Sequence, residues 1–296
     1  MKRINTIYLH GGVFHADDVV CAAMVKFLYP NVNIVRVNKL PNGVSANARV
    51  GEEDYIVADI GLGVYDHHQA DVPCHEDGTK FAACGRLFKD IEVELFGKKA
   101  PSTFVEQLWL IEYVDNNGPR SFEYPISTIC RMSRPAWNST LSMDDAFMEV
   151  VDVVIEHWLK PWITLGSLPF TEFSVLREKL AEAKARDKAA REAALDVIKP
   201  LITEAESNGR DFIVLSRFVP WLDAAHGSRV KYCVFPSERG GYNVSTNPCD
   251  ENGSKVLLPA GWVSEKPSGC TFVHQGRFMA AFADEQSAVA AISAIS

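Results

Sequence analysis

The sequence predicts an α/β fold: a doubly wound, mostly parallel sheet, then a helical linker and a smaller α+β C-terminal domain. Three observations predict it. Apolar, β-branched runs at residues 4–9, Asn33–Val37 and Tyr55–Ala58 flank a helical stretch, which is the pattern of parallel strands covered on both faces. A long periodic segment covers residues 171–208, and after Gly209 the texture changes to short strands separated by turns. The expected domains are residues 1–165, a connecting helix over 166–208, and residues 209–296.

The first strand, INTIYL, runs into His10-Gly11-Gly12, and the helix after it places Val19, Val20, Ala23, Phe27 and Leu28 on one face before Pro30 stops it. The third strand runs directly into Asp59. From Lys80 to about His157 the pattern is helical, with Phe104, Leu108, Ile111 and Val114 three or four residues apart. Asn117-Gly118-Pro119 and Arg134-Pro135 supply turn signals between the helices. In the long segment, Phe173, Leu176, Leu180, Ala183, Ala190, Ala194, Val197 and Leu201 form a heptad-like stripe. It packs on its own domain or also serves as a homodimer contact, and Pro200 kinks it or marks its last turns. Strands are expected at Phe212–Leu215, Val230–Phe235, Tyr242–Ser245 and Thr271–His274, with turns at Gly240-Gly241 and Asn252-Gly253. A helix from Glu285 to Ile295 closes the chain.

The 296 residues are 47% hydrophobic and 23% charged, ordinary values for a soluble globular protein. No run approaches the ~18 apolar residues of a membrane span. The first residues, MKRINTIYLHGG, lack the h-region and cleavage site of a secretory signal, so a cytoplasmic location is expected. Seven scattered cysteines without a C-x-x-C pair read as buried free thiols. The net charge of −8 argues against a protein that coats duplex nucleic acid. A small phosphate-bearing substrate remains compatible, because bound cations would be the largest local charges.

Four segments carry chemistry. His10-Gly-Gly-Val-Phe-His15-Ala-Asp17-Asp18 lies where the first strand meets the first helix, the edge at which open α/β sheets bind ligands. Either aspartate there also suits a plain N-cap. Asp59 ends a buried strand, where an unpaired carboxylate is costly, and its two oxygens can bridge two metals. Asp66-His67-His68 places two imidazoles behind a carboxylate: one can bind metal and the other can donate a proton to a phosphate oxygen. Asp115 terminates an apolar helix, against the helix dipole, and so calls for a cation. The mixed imidazole and carboxylate set suits Mn²⁺, with Mg²⁺ or Co²⁺ as alternatives.

With His10-x4-His15-x-Asp17 before it, the Asp66-His67-His68 triplet resembles the DHH phosphoesterase superfamily. Within that superfamily the chain is similar to the melanocyte-proliferating-gene (Myg) proteins, metal-dependent 3′–5′ exonucleases. Ser133-Arg-Pro-Ala-Trp-Asn138, Ser216-Arg-Phe-Val-Pro-Trp221, Leu258-Pro-Ala-Gly-Trp262 and Gly269-Cys-Thr-Phe-Val-His274 extend the match over nearly the whole chain. Two departures stand out: Val263 follows Trp262 where the family usually has Arg, and the fourth motif is stretched to Asp115-Asn-Asn-Gly118.

The resemblance implies two metal ions, one held by His10, His15 and Asp59, the other by Asp17, Asp59, His67 and Asp115. It implies that His68 contacts the scissile phosphate as general acid, with Asp66 supporting it from behind in the catalytic set. His274, the turn containing Gly269, and Arg131 are the expected substrate-binding residues. The expected partner is a short single-stranded nucleic acid or a nucleotide, hydrolysed by two-metal chemistry. The alternatives are hydrolysis of a small phosphate compound such as pyrophosphate, or a non-catalytic metal-binding regulator on the same fold.

Overall fold

The computed structural model describes residues 2–118, 124–237 and 240–295. The chain divides into two compact units, residues 1–135 with 139–185, and residues 136–138 with 186–296.

The first unit is built on β1 (Thr6–His10), β2 (Asn33–Val37) and β3 (Tyr55–Val57), all parallel, in the order β2-β1-β3. Thr6 pairs with Asn33 on one side and with Tyr55 on the other. Parallel neighbours require crossover connections, and the strand order reverses about β1, so the carboxyl end of β1 at His10 faces a crevice. Helix α1 (Ala16–Leu28) makes the first crossover. The sequence pattern assigns it one apolar face; in the structure every residue from Ala16 to Val25 is buried. The reason is that α2 (Ala83–Phe96), α3 (Ser102–Asn117), α4 (Pro125–Met132) and α5 (Met143–Val154) all pack against it, so no face is left for solvent. The Asn117-Gly118 turn signal sits at the end of α3, and Pro119 lies outside the described residues.

Between α5 and α6 (Lys160–Leu165), residues Ile155–Leu159 form a π-helical turn, and the Lys160 N–H reaches back to the Ile155 carbonyl. Pro161 has no N–H to continue the regular ladder, and the wider turn absorbs the break.

One close approach in this unit carries a prediction. Glu112 on α3 is 1% exposed; its carboxylate accepts the Ala82 N–H at 3.0 Å and faces His75 Nε2 at 2.8 Å. A Cβ on Gly85 of α2 would land on that carboxylate. Gly85→Ala is therefore expected to displace a buried, doubly bonded acid and to cost about 1–3 kcal/mol. Urea unfolding checks this, and an unchanged midpoint would show that Glu112 can move without cost.

Helix α7 (Phe170–Ser207) continues past Pro200 to Ser207. Of the expected stripe, Phe173 is 37% exposed, Leu176, Ala183, Ala190 and Ala194 are buried, and the buried face then shifts by one position. Val197 is 40% exposed whereas Ile198 is fully buried, followed by Ile202 and Ala205. Repeated four-residue steps turn the buried face around the helix, and the second unit's core receives Ile198 and Ile202 instead.

The second unit contains β4 (Phe212–Val214), α8 (Leu222–Ala225), β5 (Tyr232–Pro236), β6 (Tyr242–Thr246), α9 (Gly261–Ser264), β7 (Cys270–Val273), β8 (Met279–Phe282) and α10 (Glu285–Ser293). Its sheet is mixed, in the order β4-β5-β6-β8-β7, with only β4 and β5 parallel. β8 is absent from the sequence expectation: Met279-Ala-Ala-Phe282 has little β preference and is recruited by pairing with β6 and β7. One sheet face buries Val234, Val244, Ala280 and Phe282 with Ala288 and Ile292 of α10. The other face buries Ile213, Leu215, Cys233 and Phe235 with Ala194, Ile198 and Ile202 of α7.

The seven cysteines are free, as expected, but not all are buried: Cys74 is exposed, and Cys249 and Cys270 are half-buried. Among the described residues no helix is long and apolar enough to cross a membrane.

Candidate metal centre

Four short segments of the first unit converge at the carboxyl end of its sheet. His10 is the last residue of β1, and its Nδ1 lies 3.1 Å from the Gly11 carbonyl. Donation from Nδ1 to that oxygen leaves Nε2 as the free nitrogen, the arrangement a ligating histidine needs. Nε2 faces Asp18 Oδ2 at 3.0 Å and Asp59 Oδ2 at 3.1 Å.

The loop from Gly11 to His15 is held by two arginines. Arg36 donates to the Gly12 carbonyl at 2.6 Å, and Arg134 Nε donates to the Phe14 carbonyl at 2.7 Å. The Arg36 guanidinium also lies 5.6 Å from the centre of the Phe14 ring. His15 then serves as the N-cap of α1, and Asp18, three residues on, accepts the His15 N–H at 3.0 Å. Neither Asp17 nor Asp18 is thus the N-cap residue that the sequence allowed. Both carboxylates sit in the buried first turn, where the helix N-terminus favours negative charge.

Asp59 follows β3 in a left-handed conformation, φ 56°. Its N–H donates to the Tyr65 carbonyl at 2.8 Å, which ties the strand end to the returning segment. A non-glycine residue there costs of order 1 kcal/mol and persists only where the surroundings impose it. The turn directs Asp59 Oδ2 to His10 and Asp59 Oδ1 toward His67 Nε2 at 3.4 Å. His67 Nε2 also lies 3.6 Å from Asp17 Oδ2 and 3.3 Å from Asp115 Oδ2, in the last turn of α3. Three carboxylates from three elements therefore surround one imidazole nitrogen.

Asp66 points the other way. Its carboxylate accepts the Leu62 N–H at 2.7 Å and the His68 N–H at 3.1 Å, and its Oδ1 lies 2.7 Å from His68 Nδ1. A proton on Nδ1 held by Asp66 orients the ring, whose side chain is 59% exposed.

The protonation of these groups shows what the site is short of. Burial disfavours a charged His10, but the facing Asp18 and Asp59 outweigh it and hold the imidazole up at about 10. Burial, then Asp115, Asp59 and Asp18, push Asp17 well above the carboxylate range. Asp115 is raised to about 6 by burial and by Asp59 and Asp18, with His67 opposing. Burial would raise Asp59 too, but the hydrogen bonds from His10 and His67 bring it down to about 2. Asp66 is the first cause that raises His68. The centre thus retains protons where positive charge is needed.

The residues fit divalent cations on two further counts. Asp17 is fully buried and neither of its carboxylate oxygens finds a hydrogen-bond donor of good geometry. Second, the 3.3–3.6 Å spacing about His67 Nε2 matches the ligand–ligand edge of about 3.0–3.5 Å expected around an ion with bonds of roughly 2.1 Å. Among the described residues three triads have ligand atoms mutually within 4.8 Å: His10 with Asp18 and Asp59, His15 with Asp17 and Asp115, and Asp59 with His67 and His68.

The structure therefore brings Asp17, Asp59, His67 and Asp115 together as one cluster, and places His10 with Asp59. His15 lies next to His10, their ring centres 5.7 Å apart, and it also forms a triad with Asp17 and Asp115. Asp18 faces His10 as well. Sequence reasoning missed it by treating it as a cap, although its position next to Asp17 in the first helical turn was the available signal. Arg134, within the Ser133–Asn138 motif, likewise has no role that the sequence reveals; in the structure it anchors the loop before His15. Arg131 on α4 is half-buried, and its Nε has no hydrogen-bond partner among the described residues.

In the second unit, Gly269 and His274 bracket β7. At roughly 3.3 Å per strand residue they are about 16 Å apart, at opposite ends of one strand. Gly269, at φ 74°, packs where a Cβ would meet Ser287 on α10, which accounts for glycine there structurally. Val263 and Trp262 pack against the second unit's core.

Because the centre holds protons on groups ranging from Asp115 at about 6 to His10 at about 10, a cation must displace them. Mn²⁺ binding is expected to release protons and to strengthen as pH rises from 6 toward 8. Calorimetry in buffers of different ionisation enthalpy reads this directly. A pH-independent affinity without proton release would contradict the arrangement of charges described above.

The family model described as "Uncharacterised protein family (UPF0160)" and labelled MYG1_exonuc matches residues 6–295. The chain is 24% identical to a MYG1 protein of Saccharomyces cerevisiae over 94% of its own length and 91% of that protein's. It is 21% identical to a MYG1 protein of Schizosaccharomyces pombe, over 94% and 93% of the two chains. No solved structure matches it.

Proposed function

The chain belongs to the UPF0160 (MYG1_exonuc) family, and from that premise we propose that it is a metal-dependent phosphodiesterase, a 3′–5′ exonuclease on RNA or short oligonucleotides. The observation that carries the reading is the cluster of Asp17, Asp59 and Asp115 around His67 Nε2, with Asp59 shared toward His10. The family label points to the exonuclease.

Two divalent cations, Mn²⁺ by the donor set, would be held with Asp59 common to both. Asp17, His67 and Asp115 complete one set; His10 completes the other with Asp18 or His15. When bound, such ions supply positive charge and Lewis acidity toward phosphoryl oxygens. The chain's own residues do the rest. Arg36 and Arg134 fix the loop that carries His15, and the capping contact from Asp18 fixes where α1 begins. Asp66 holds the Nδ1 proton of His68, so that the opposite nitrogen is presented outward to donate a proton to the departing oxygen. We read the three parallel strands as the centre of a doubly wound DHH-type domain over residues 1–165. Residues 209–296 serve as the substrate-binding domain after the connecting helix, and the location is cytoplasmic.

The test offers the purified chain, with Mn²⁺, 5′-labelled short RNA, short DNA and pyrophosphate in parallel. Stepwise shortening from the 3′ end is expected. Pyrophosphate turnover in its place would make the chain a small-phosphate hydrolase, and bound metal without any turnover would make it a regulator.

A further inference from the structure

We propose that Arg86 on α2 is a positioning residue of the metal centre: by holding the carbonyl of the peptide between Asp66 and His67, it sets the direction from which His67 reaches a cation. The presence of that cation rests on the phosphodiesterase reading; the clamp itself is defined by contacts within the first unit.

Asp66, His67 and His68 belong to no strand or helix, so no ladder of backbone hydrogen bonds fixes their peptide planes. Such a peptide turns about the soft dihedrals on either side of it unless its own polar groups are bound. At Asp66 every polar group is bound. Its N–H donates to the Gly63 carbonyl at 3.3 Å. Its carboxylate takes the Leu62 and His68 N–H groups and faces His68 Nδ1. What remains is its carbonyl, which accepts from Arg86 Nη1. That oxygen belongs to the peptide leading into His67, so holding it fixes where the His67 side chain leaves the backbone. The demand on that side chain is high, because His67 Nε2 meets carboxylate oxygens of Asp17, Asp59 and Asp115 at 3.3–3.6 Å.

Helix α2 grips the same segment a second time. Asp90 accepts the hydroxyl of the buried Tyr65 at 2.7 Å, and the Tyr65 carbonyl takes the Asp59 N–H at 2.8 Å. Residues four apart share one face of a helix, so Arg86 and Asp90 hold the consecutive residues Asp66 and Tyr65 from one element. That element is firm because Ala83, Cys84, Leu87, Phe88, Ile91 and Leu95 bury its other face. The two grips divide the work: Asp90 acts through Tyr65 on the turn at Asp59, and Arg86 acts on His67. No ion pair accounts for Arg86. It is half-buried, and among the described residues no carboxylate lies within ion-pair distance of it. Its contact is with one backbone oxygen, and a charged donor makes a stronger and shorter bond there than a neutral one.

The experiment titrates Mn²⁺ by calorimetry into the full chain, Arg86→Met and Arg86→Lys, and records thermal unfolding of each. Arg86→Met keeps an unbranched apolar stem and loses the donors. The set containing His67 is expected to bind Mn²⁺ about 10–100-fold more weakly, the usual cost of removing a partner that orients a ligand. The set containing His10 should bind as in the parent, because Asp59 is held through Tyr65 and not through Arg86. Arg86→Lys retains a charged donor and should recover part of the loss. Unchanged Mn²⁺ binding in Arg86→Met overturns the clamp. An equal loss at both sets, with a lower unfolding midpoint, also overturns it and leaves Arg86 a residue of the fold only. Cleavage of 5′-labelled short RNA on the same samples separates the two readings. Two bound Mn²⁺ without cleavage in the parent would overturn the phosphodiesterase reading alone. Cleavage in the parent with Mn²⁺ binding unchanged in Arg86→Met would overturn the clamp alone.

Discussion

Asp59→Asn is expected to remove both metal ions and reduce phosphodiester hydrolysis to background. The two oxygens of Asp59 face two different imidazoles, Oδ2 toward His10 at 3.1 Å and Oδ1 toward His67 at 3.4 Å. An amide keeps the shape and loses the charge, and one of its two positions becomes a donor that repels a cation. Residues behind a metal ligand are worth about 10–100-fold in affinity, so a ligand common to two ions should cost more. The fold is not the weak point. Asn is among the residues that best tolerate the left-handed backbone seen at φ 56°, and the Asp59 N–H bond to Tyr65 does not involve the side chain. The metal-free variant should be somewhat less stable than the metal-free parent near neutral pH. Asp59 is held down at about 2 in the folded chain, so its charge stabilises above the ordinary carboxylate range, and that contribution fades as pH falls toward 2. Metal content by elemental analysis, with thermal unfolding alongside, checks the prediction. Full occupancy in a folded variant would remove Asp59 from the bridging position.

His68→Ala separates binding from proton transfer. Metals should stay and the rate should fall by about 10²–10⁴-fold, the usual contribution of a positioned acid. The side chain is 59% exposed and its loss opens no core cavity. Asp66 keeps the backbone N–H groups of Leu62 and His68, so the turn survives. In the parent, Asp66 raises His68 and keeps it protonated to higher pH. The rate should fall as pH rises through that group, and the variant should lose this alkaline limb. Asp66→Asn should move the limb to lower pH while leaving metal content intact, which a purely structural Asp66 would not do. Loss of metal from His68→Ala would instead make His68 a ligand, as its membership of a triad with Asp59 and His67 permits.

Much of this centre was legible as residue types at strand and helix ends. His10, Asp59 and Asp115 each end an apolar run, and an ionisable group in that position has few roles besides a site. The pairings were less legible. His15 and Asp18 lie three residues apart at the start of one helix, and how each is aimed toward His10 depends on where the helix begins. The capping contact between Asp18 and the His15 N–H sets that starting point, and composition does not reveal it. The separation of Gly269 from His274 follows from β7 being extended, which a glycine followed by a histidine five residues later leaves open.

The sequence by itself determined the parallel strand–helix–strand layer, the long helix, the change of texture after Gly209 and the inventory of imidazoles and carboxylates. These are properties of local periodicity and of residue chemistry, which a single chain segment expresses without its neighbours. Only the tertiary structure decided that α1 is buried on every side from Ala16 to Val25, that Met279–Phe282 is a strand, and that Asp18 faces His10. It also decided that Arg86 holds the Asp66 carbonyl. Each of these depends on what packs against a segment from far along the chain, and a short stretch of sequence carries no record of its partners.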